Sequence, residues 1–175
     1  GIGNAQGNWM YGNSWSANFD GRAGDDHLLG GASADTLVGG AGNDELVGAE
    51  GNDLYIHRSG DGFDNLLDVD KTVGNVDSLR WEGVSKQQLW LSRSGGDLKV
   101  QVLGGSEGVL IRNWYTDPNS HVERMTAGAD YLSDDRVAAL VQVMSTITPP
   151  TALGNLSASQ QTQVLNAINQ AWRPA

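Results

Sequence analysis

The sequence predicts a mainly β chain: a parallel β-roll, capped by an antiparallel β unit, with a short α-helical C-terminal tail. Three observations lead there. Glycine recurs with a strict period of nine, at Gly3, Gly12, Gly21, Gly30, Gly39 and Gly48. Seven residues after each comes an apolar side chain: Met10, Phe19, Leu28, Leu37, Leu46 and Tyr55. After residue 70 the period gives way to strand-like apolar runs between Gly-rich turns, and after residue 132 to helical spacing.

Residues 1–70 form the first unit. A nine-residue repeat is too short for a helical repeat. Six residues rich in Gly, Asn and Asp make a turn, and three, such as Thr36-Leu37-Val38, make a short strand. The middle residue of each strand points to one face and its neighbours to the other. Two units close one coil of 18 residues, so strands stack into two parallel sheets. Turns on one edge are then two units apart. The sixth position of the last four units is Asp26, Asp35, Asp44 and Asp53, whereas the first two units hold Asn8 and Ala17 there. Residues 1–20 are therefore a degenerate start to the array. One inward side chain per nine ordered residues is a thin core, and such a roll needs another source of stabilisation.

Residues 71–132 read as a β-rich cap. Leu89-Trp90-Leu91, Leu98–Leu103 and Val109-Leu110-Ile111 are strand-like, with a further strand near Val122–Thr126. Ser94–Asp97 and Gly104–Gly108 are the turns between them. Covering the open end of the roll protects a bare sheet edge. Residues 133–175 read as two helices. In the first, Val137, Leu140, Val141 and Met144 share a face, Ser133 or Asp134 is the N-cap, and Pro149-Pro150 is the stop. In the second, Ser157 and Gln160 form a capping box, and Val164, Leu165, Ile168 and Trp172 line one side.

Charge narrows the chemistry. The chain carries a net charge of −10 and no Cys. Ten Asp and two Glu oppose only Arg22 and Arg58 within residues 1–70, so the whole excess lies there. An acidic surface repels nucleic acid and anionic membranes and attracts cations. Carboxylates beside backbone carbonyls in Gly-rich turns are hard oxygen donors suited to Ca2+. Mg2+ demands stricter octahedral geometry, and Zn2+ favours His and Cys. Stacking two units apart pairs Asp26 with Asp44, and Asp35 with Asp53. The candidate ligand set is these four carboxylates, the turn glycines Gly21, Gly24, Gly30, Gly39, Gly42, Gly48 and Gly51, and Asp61 and Asp64 from the next turn. That set allows about three to five ions.

GGAGNDELV (39–47) fits the nine-residue pattern G-G-x-G-x-D-x-U-x, U being a large apolar residue, and resembles the repeats-in-toxin (RTX) family. Four consecutive units match in phase. Ser33 and Ala49 depart from the pattern's glycines, which marks Ser33-Ala34 as the expected weak spot. Asn52–Ile56 with Gly60–Asp64 resembles the closing signature of an RTX block. Asp77–Trp81, Leu91–Leu98 and Ile111–Tyr115 resemble the domain that often follows one. The resemblance is to the last repeat block and C-terminal flank of a large toxin of the adenylate cyclase or haemolysin type. It implies a secreted, monomeric calcium-binding module that folds on Ca2+ outside the cell. It also implies export by type I secretion machinery, without an N-terminal signal peptide and with a candidate secretion-signal region in residues 133–175. A Ca2+-dependent module for a host receptor or glycan is the alternative.

No catalytic role is expected: the chain lacks both H-E-x-x-H and G-x-S-x-G. His27, His57 and His121 read as surface residues. Trp9 and Trp15 read as packing in an N-terminal cap, and Trp81, Trp90 and Trp114 as core or seam residues.

Overall fold

The computed structural model describes residues 1–175 as two seven-stranded sheets facing each other across one core. The first sheet runs in the order β1 (Trp9–Tyr11), β3 (His27–Gly31), β5 (Glu45–Ala49), β7 (Phe63–Leu67), β11 (Gly108–Ile111), β10 (Asp97–Val102), β9 (Leu89–Ser94). The second runs β2 (Asn18–Ala23), β4 (Thr36–Ala41), β6 (Leu54–Arg58), β8 (Ser78–Glu82), β12 (Arg124–Ala127), β13 (Asp130–Ser133), β14 (Arg173–Pro174). Odd-numbered repeat strands fall in one sheet and even-numbered ones in the other, as an 18-residue coil requires.

The inward side chains form two columns. Met10, Leu28, Leu46 and Leu66 align through the parallel pairings of the first sheet. Phe19, Leu37, Tyr55, Leu79 and Met125 align through the second. Leu28, Leu37, Tyr55 and Leu66 have no solvent exposure. The parallel ladders do not stop at residue 70: β11 lies parallel on β7, and β8 and β12 extend the second sheet in parallel. Only then do both sheets turn antiparallel, through β11–β10–β9 and β12–β13–β14. The cap thus grows out of the roll's own sheets.

The helical segment belongs to the same core. α1 (Asp134–Met144) packs on β9, β13 and α2 (Ala158–Ala171), burying Val137, Leu140, Val141 and Met144. Ser133 is its N-cap. It ends at Met144, before Pro149, with the hydroxyls of Ser145 and Thr146 donating to the carbonyls of Gln142 and Val143 at its C-terminal end. The Ser157–Gln160 capping box starts α2. Val164, Ile168 and Trp172 are buried and Leu165 is half-buried. One contiguous cluster of 30 buried residues runs from Leu28 to Trp172, and includes Trp81, Trp90 and Trp114.

At the other end the expectation for the tryptophans is overturned. Trp9 is 69% exposed and Trp15 80%, with Ile2 and Tyr11 beside them also open to solvent. β1 and β2 are the edge strands of the two sheets within residues 1–175, and these rings stand open there. Trp9 stacks instead on the His27 ring, 4.3 Å away.

Because β11 and β8 cover Leu66 and Tyr55, a truncation ending at Asp70 uncovers the last coil's core residues. The expected outcome is a chain that stays unfolded by far-UV circular dichroism in millimolar calcium, whereas the full chain folds.

Candidate metal centre

Each repeat turn places its aspartate in a column of carboxylates running along one edge of the roll. On one edge, Asp26 N–H donates to Asp44 Oδ1 at 2.7 Å, and Asp44 N–H to Asp64 Oδ1 at 3.0 Å. On the other, Asp35 N–H donates to Asp53 Oδ1 at 2.8 Å, and Asp53 N–H to Asp77 Oδ1 at 2.7 Å. Asp77 N–H then donates to Glu123 Oε2 at 2.7 Å. Asp26 and Asp35 in turn cap the amides of Asn8 and Ala17 in the degenerate units. Turn amides have no strand partner, and the carboxylate of the next coil supplies it. The pairs Asp26 with Asp44, and Asp35 with Asp53, are those read from the 18-residue coil.

The second oxygen of each carboxylate is the telling one. Oδ2 of Asp26, Asp35, Asp44 and Asp53 is buried and has no hydrogen-bond partner. Such an orphan is costly to keep away from water. Each Oδ2 lies over the first glycine of its own turn, where a Cβ on Gly21, Gly30, Gly39 or Gly48 would overlap it. At Gly21 the carbonyl of Gly39 converges on the same space, and at Gly30 the carbonyl of Gly48 does so. Gly24, Gly42 and Gly51 hold positive φ, so the turn's carbonyls can be aimed as they are. The donors are all oxygen, from carboxylates and carbonyls, with no sulfur and no imidazole. That donor set fits a hard divalent cation such as Ca2+.

Electrostatics point the same way. Burial pushes Asp44 and Asp53 up to about 7, and neighbouring carboxylates, led by Asp64 and Asp77, push in the same direction against their backbone hydrogen bonds. Burial also raises Asp26 and Asp35. None of the four takes part in an ion pair with Lys, Arg or His.

Asp61 and Asp64 end the column instead of repeating it. Asp64 Oδ1 caps Asp44, but its Oδ2 meets His57 Nδ1 at 2.8 Å. Asp61 accepts from Arg58 N–H at 2.7 Å through its carboxylate and from Gly42 N–H at 2.8 Å through its carbonyl. His57 is not a surface residue: it is 1% exposed, held between Asp64 and the edge of the Trp81 ring. His121 is half-buried, stacked on Trp114. His27 keeps its outward position beside Glu45. The sequence pattern missed Asp68, Asp77 and Glu123. The amide-to-carboxylate step widens from 18 residues to 24 and then 46 on that edge, so a nine-residue period cannot find them.

The fold and these turns define a parallel β-roll protein whose edges are built of cation-ligating oxygens. Residues 20–55 match the family model of the RTX calcium-binding nonapeptide repeat, in four copies. Over 134 residues the chain is 27% identical to the multifunctional-autoprocessing repeats-in-toxin of Vibrio cholerae serotype O1. That alignment covers 65% of this chain and 3% of the much longer relative. The extracellular lipase LipA from Serratia marcescens has a similar fold, with a TM-score of 0.51 at 24% identity over 62% of this chain and 17% of that one. Residues 20–55 thus carry a block of RTX calcium-binding nonapeptide repeats, and the chain is similar to a repeats-in-toxin protein over 65% of its length.

Two predictions follow from the turns. The second position of each turn needs positive φ, which Gly31 and Gly40 supply, but Arg22 and Ala49 each sit at +76°. A left-handed L-residue costs about 1–2 kcal/mol. Ala49→Gly is therefore expected to stabilise the calcium-loaded chain by about 1 kcal/mol, read as a higher thermal midpoint. Gly40→Ala, which meets the Arg22 carbonyl, is expected to lower it. At Ser33, the expected weak spot for the ion, Oγ donates to the Ser14 carbonyl at 2.9 Å. The second prediction concerns pH. Asp44 and Asp53 have folded-state values raised from 3.8 to about 7, so the folded calcium-free chain holds protons that the unfolded chain has released. Their contribution favours the fold below the unfolded value and is lost as pH rises through about 7. In excess chelator, denaturant titrations are expected to show lower stability at pH 8 than at pH 5.

Proposed function

We propose that this chain is a calcium-driven folding module, unfolded where Ca2+ is scarce and folded outside the cell. In that role it supports type I secretion and extracellular folding of a larger toxin or exoprotein, and it has no catalytic part of its own. The observation that carries the reading is the set of four buried, unpartnered Oδ2 atoms in a segment with a net charge of −10. Without cations, those carboxylates repel one another, and burial penalises each charge. An extended chain that keeps them hydrated is then the favoured state, and it is also the form suited to passage through a secretion channel. With calcium, Asp26, Asp35, Asp44, Asp53 and the turn carbonyls hold ions that neutralise the column. Each site filled at 100-fold above its dissociation constant adds about 2.7 kcal/mol to the folded state. About three to five such sites supply what the thin core lacks. The large cap core, rich in tryptophan, is the region from which the coils add one by one.

The open aromatic row of Trp9 and Tyr11 beside His27 favours a second reading, a Ca2+-dependent surface for a receptor or glycan. Glu45, Asn65 and Arg112 line the cleft next to Trp9. This role needs the same folding event.

Far-UV circular dichroism tests the first reading. The full chain is expected to be largely disordered in chelator at pH 8 and to gain β-structure on addition of calcium in the millimolar range. A spectrum already folded in chelator, and unchanged by calcium, would overturn it.

A further inference from the structure

Where the last repeat turn meets the cap, Asp53, Asp68 and Asp77 are gathered from three separate segments. Asp53 closes the turn before β6, Asp68 follows β7, and Asp77 precedes β8. One carboxylate oxygen from each lies within 4.8 Å of the other two, and all three residues are buried. Two of them aim an unpartnered oxygen into the protein: Asp53 Oδ2 and Asp68 Oδ1 are buried with no hydrogen-bond partner, and the two residues are 1% and 0% exposed.

The surroundings hold the carboxylates in place without neutralising them. Tyr55 OH donates to Asp68 Oδ2 at 2.8 Å, which leaves Oδ1 free. Asn75 Nδ2 donates to Asp77 Oδ2 at 2.7 Å, and Asp53 N–H to Asp77 Oδ1 at 2.7 Å. Glu123 stands behind, accepting from Asp77 N–H. None of the three carboxylates forms an ion pair with Lys, Arg or His. Tyr55 is itself a departure from the leucines that fill the equivalent inward positions, and its hydroxyl reaches the site from the core.

We propose that Asp68 and Asp77, neither of them part of the nonapeptide pattern, join Asp53 of the last repeat in holding a divalent cation, calcium, at the junction of roll and cap. Calcium–oxygen distances of about 2.3–2.6 Å put opposite ligands about 4.6–5.2 Å apart, so oxygens within 4.8 Å of one another can share one ion. The orienting bonds from Tyr55 and Asn75 are the kind of outer-shell support that metal carboxylates receive. The site ties β6, β7 and β8 together at the base of the repeat block. It depends on the calcium-binding reading of the neighbouring turns only for the choice of ion.

Crystals of the full chain grown in calcium, with data collected for anomalous scattering, test it. The expected result is a peak bonded to Asp53 Oδ2, Asp68 Oδ1 and Asp77, in addition to peaks between the repeat turns. Peaks between the repeat turns with none at the junction would overturn this proposal alone and leave the carboxyls sharing protons. No peak anywhere would overturn it together with the calcium reading of the repeats. In solution, Asp68→Asn keeps the shape and the bond from Tyr55. It is expected to bind one calcium ion fewer by equilibrium dialysis, while an unchanged stoichiometry in a folded variant counts against the site.

Discussion

Each turn of the roll has a backbone amide that no strand can satisfy, and the carboxylate of the coil stacked on it supplies the missing acceptor. That bond, from the amide of Asp26, Asp35, Asp44 or Asp53 to a carboxylate one coil further on, fixes the coil length and the register of both sheets. It also has a consequence for charge. An aspartate that spends Oδ1 on the stack carries Oδ2 inward with it, into the space that a Cβ on the turn's first glycine would fill. The same residue that builds the coil therefore also sets a buried, unpartnered oxygen in the turn, where a cation would be held.

The core does little to offset this within the repeats. Each coil contributes one side chain to each of two columns, and the N-terminal end leaves Ile2, Trp9, Tyr11 and Trp15 in water. Beyond residue 70 the balance reverses. Trp81, Trp90, Trp114 and Trp172 are all buried there, two helices pack on the sheets, and the parallel ladders of the roll continue into them. Burial is graded along residues 1–175, dense in the cap and sparse in the first coils.

Much of the fold is legible because the nonapeptide period is a direct image of the coil. Glycine and apolar positions place the two columns from Met10 to Tyr55, and the 18-residue stacking of the aspartates comes with them. Legibility fades where spacing becomes irregular. Asp64, Asp77 and Glu123 continue the ladders at steps of 20, 24 and 46 residues, because loops of different length intervene. Asp68 is drawn in by Tyr55, a contact that no linear pattern encodes. His57 looks like a surface residue among polar neighbours until Trp81, from the next strand of its sheet, closes over it. The tryptophans near the N-terminus mislead for the opposite reason: composition suggests packing, but Trp9 and Trp15 stand exposed beside the edge strands of residues 1–175.

The central claim is that cations held by the unpartnered oxygens keep the stacked amides bonded. Backbone hydrogen exchange at Asp26, Asp35, Asp44 and Asp53, followed by NMR or mass spectrometry at neutral pH, tests it most directly. With calcium these amides are predicted to be strongly protected, and with chelator to exchange at the rate of an unfolded chain. Equal protection in both conditions would contradict the account, because the ladder would then stand without the ions.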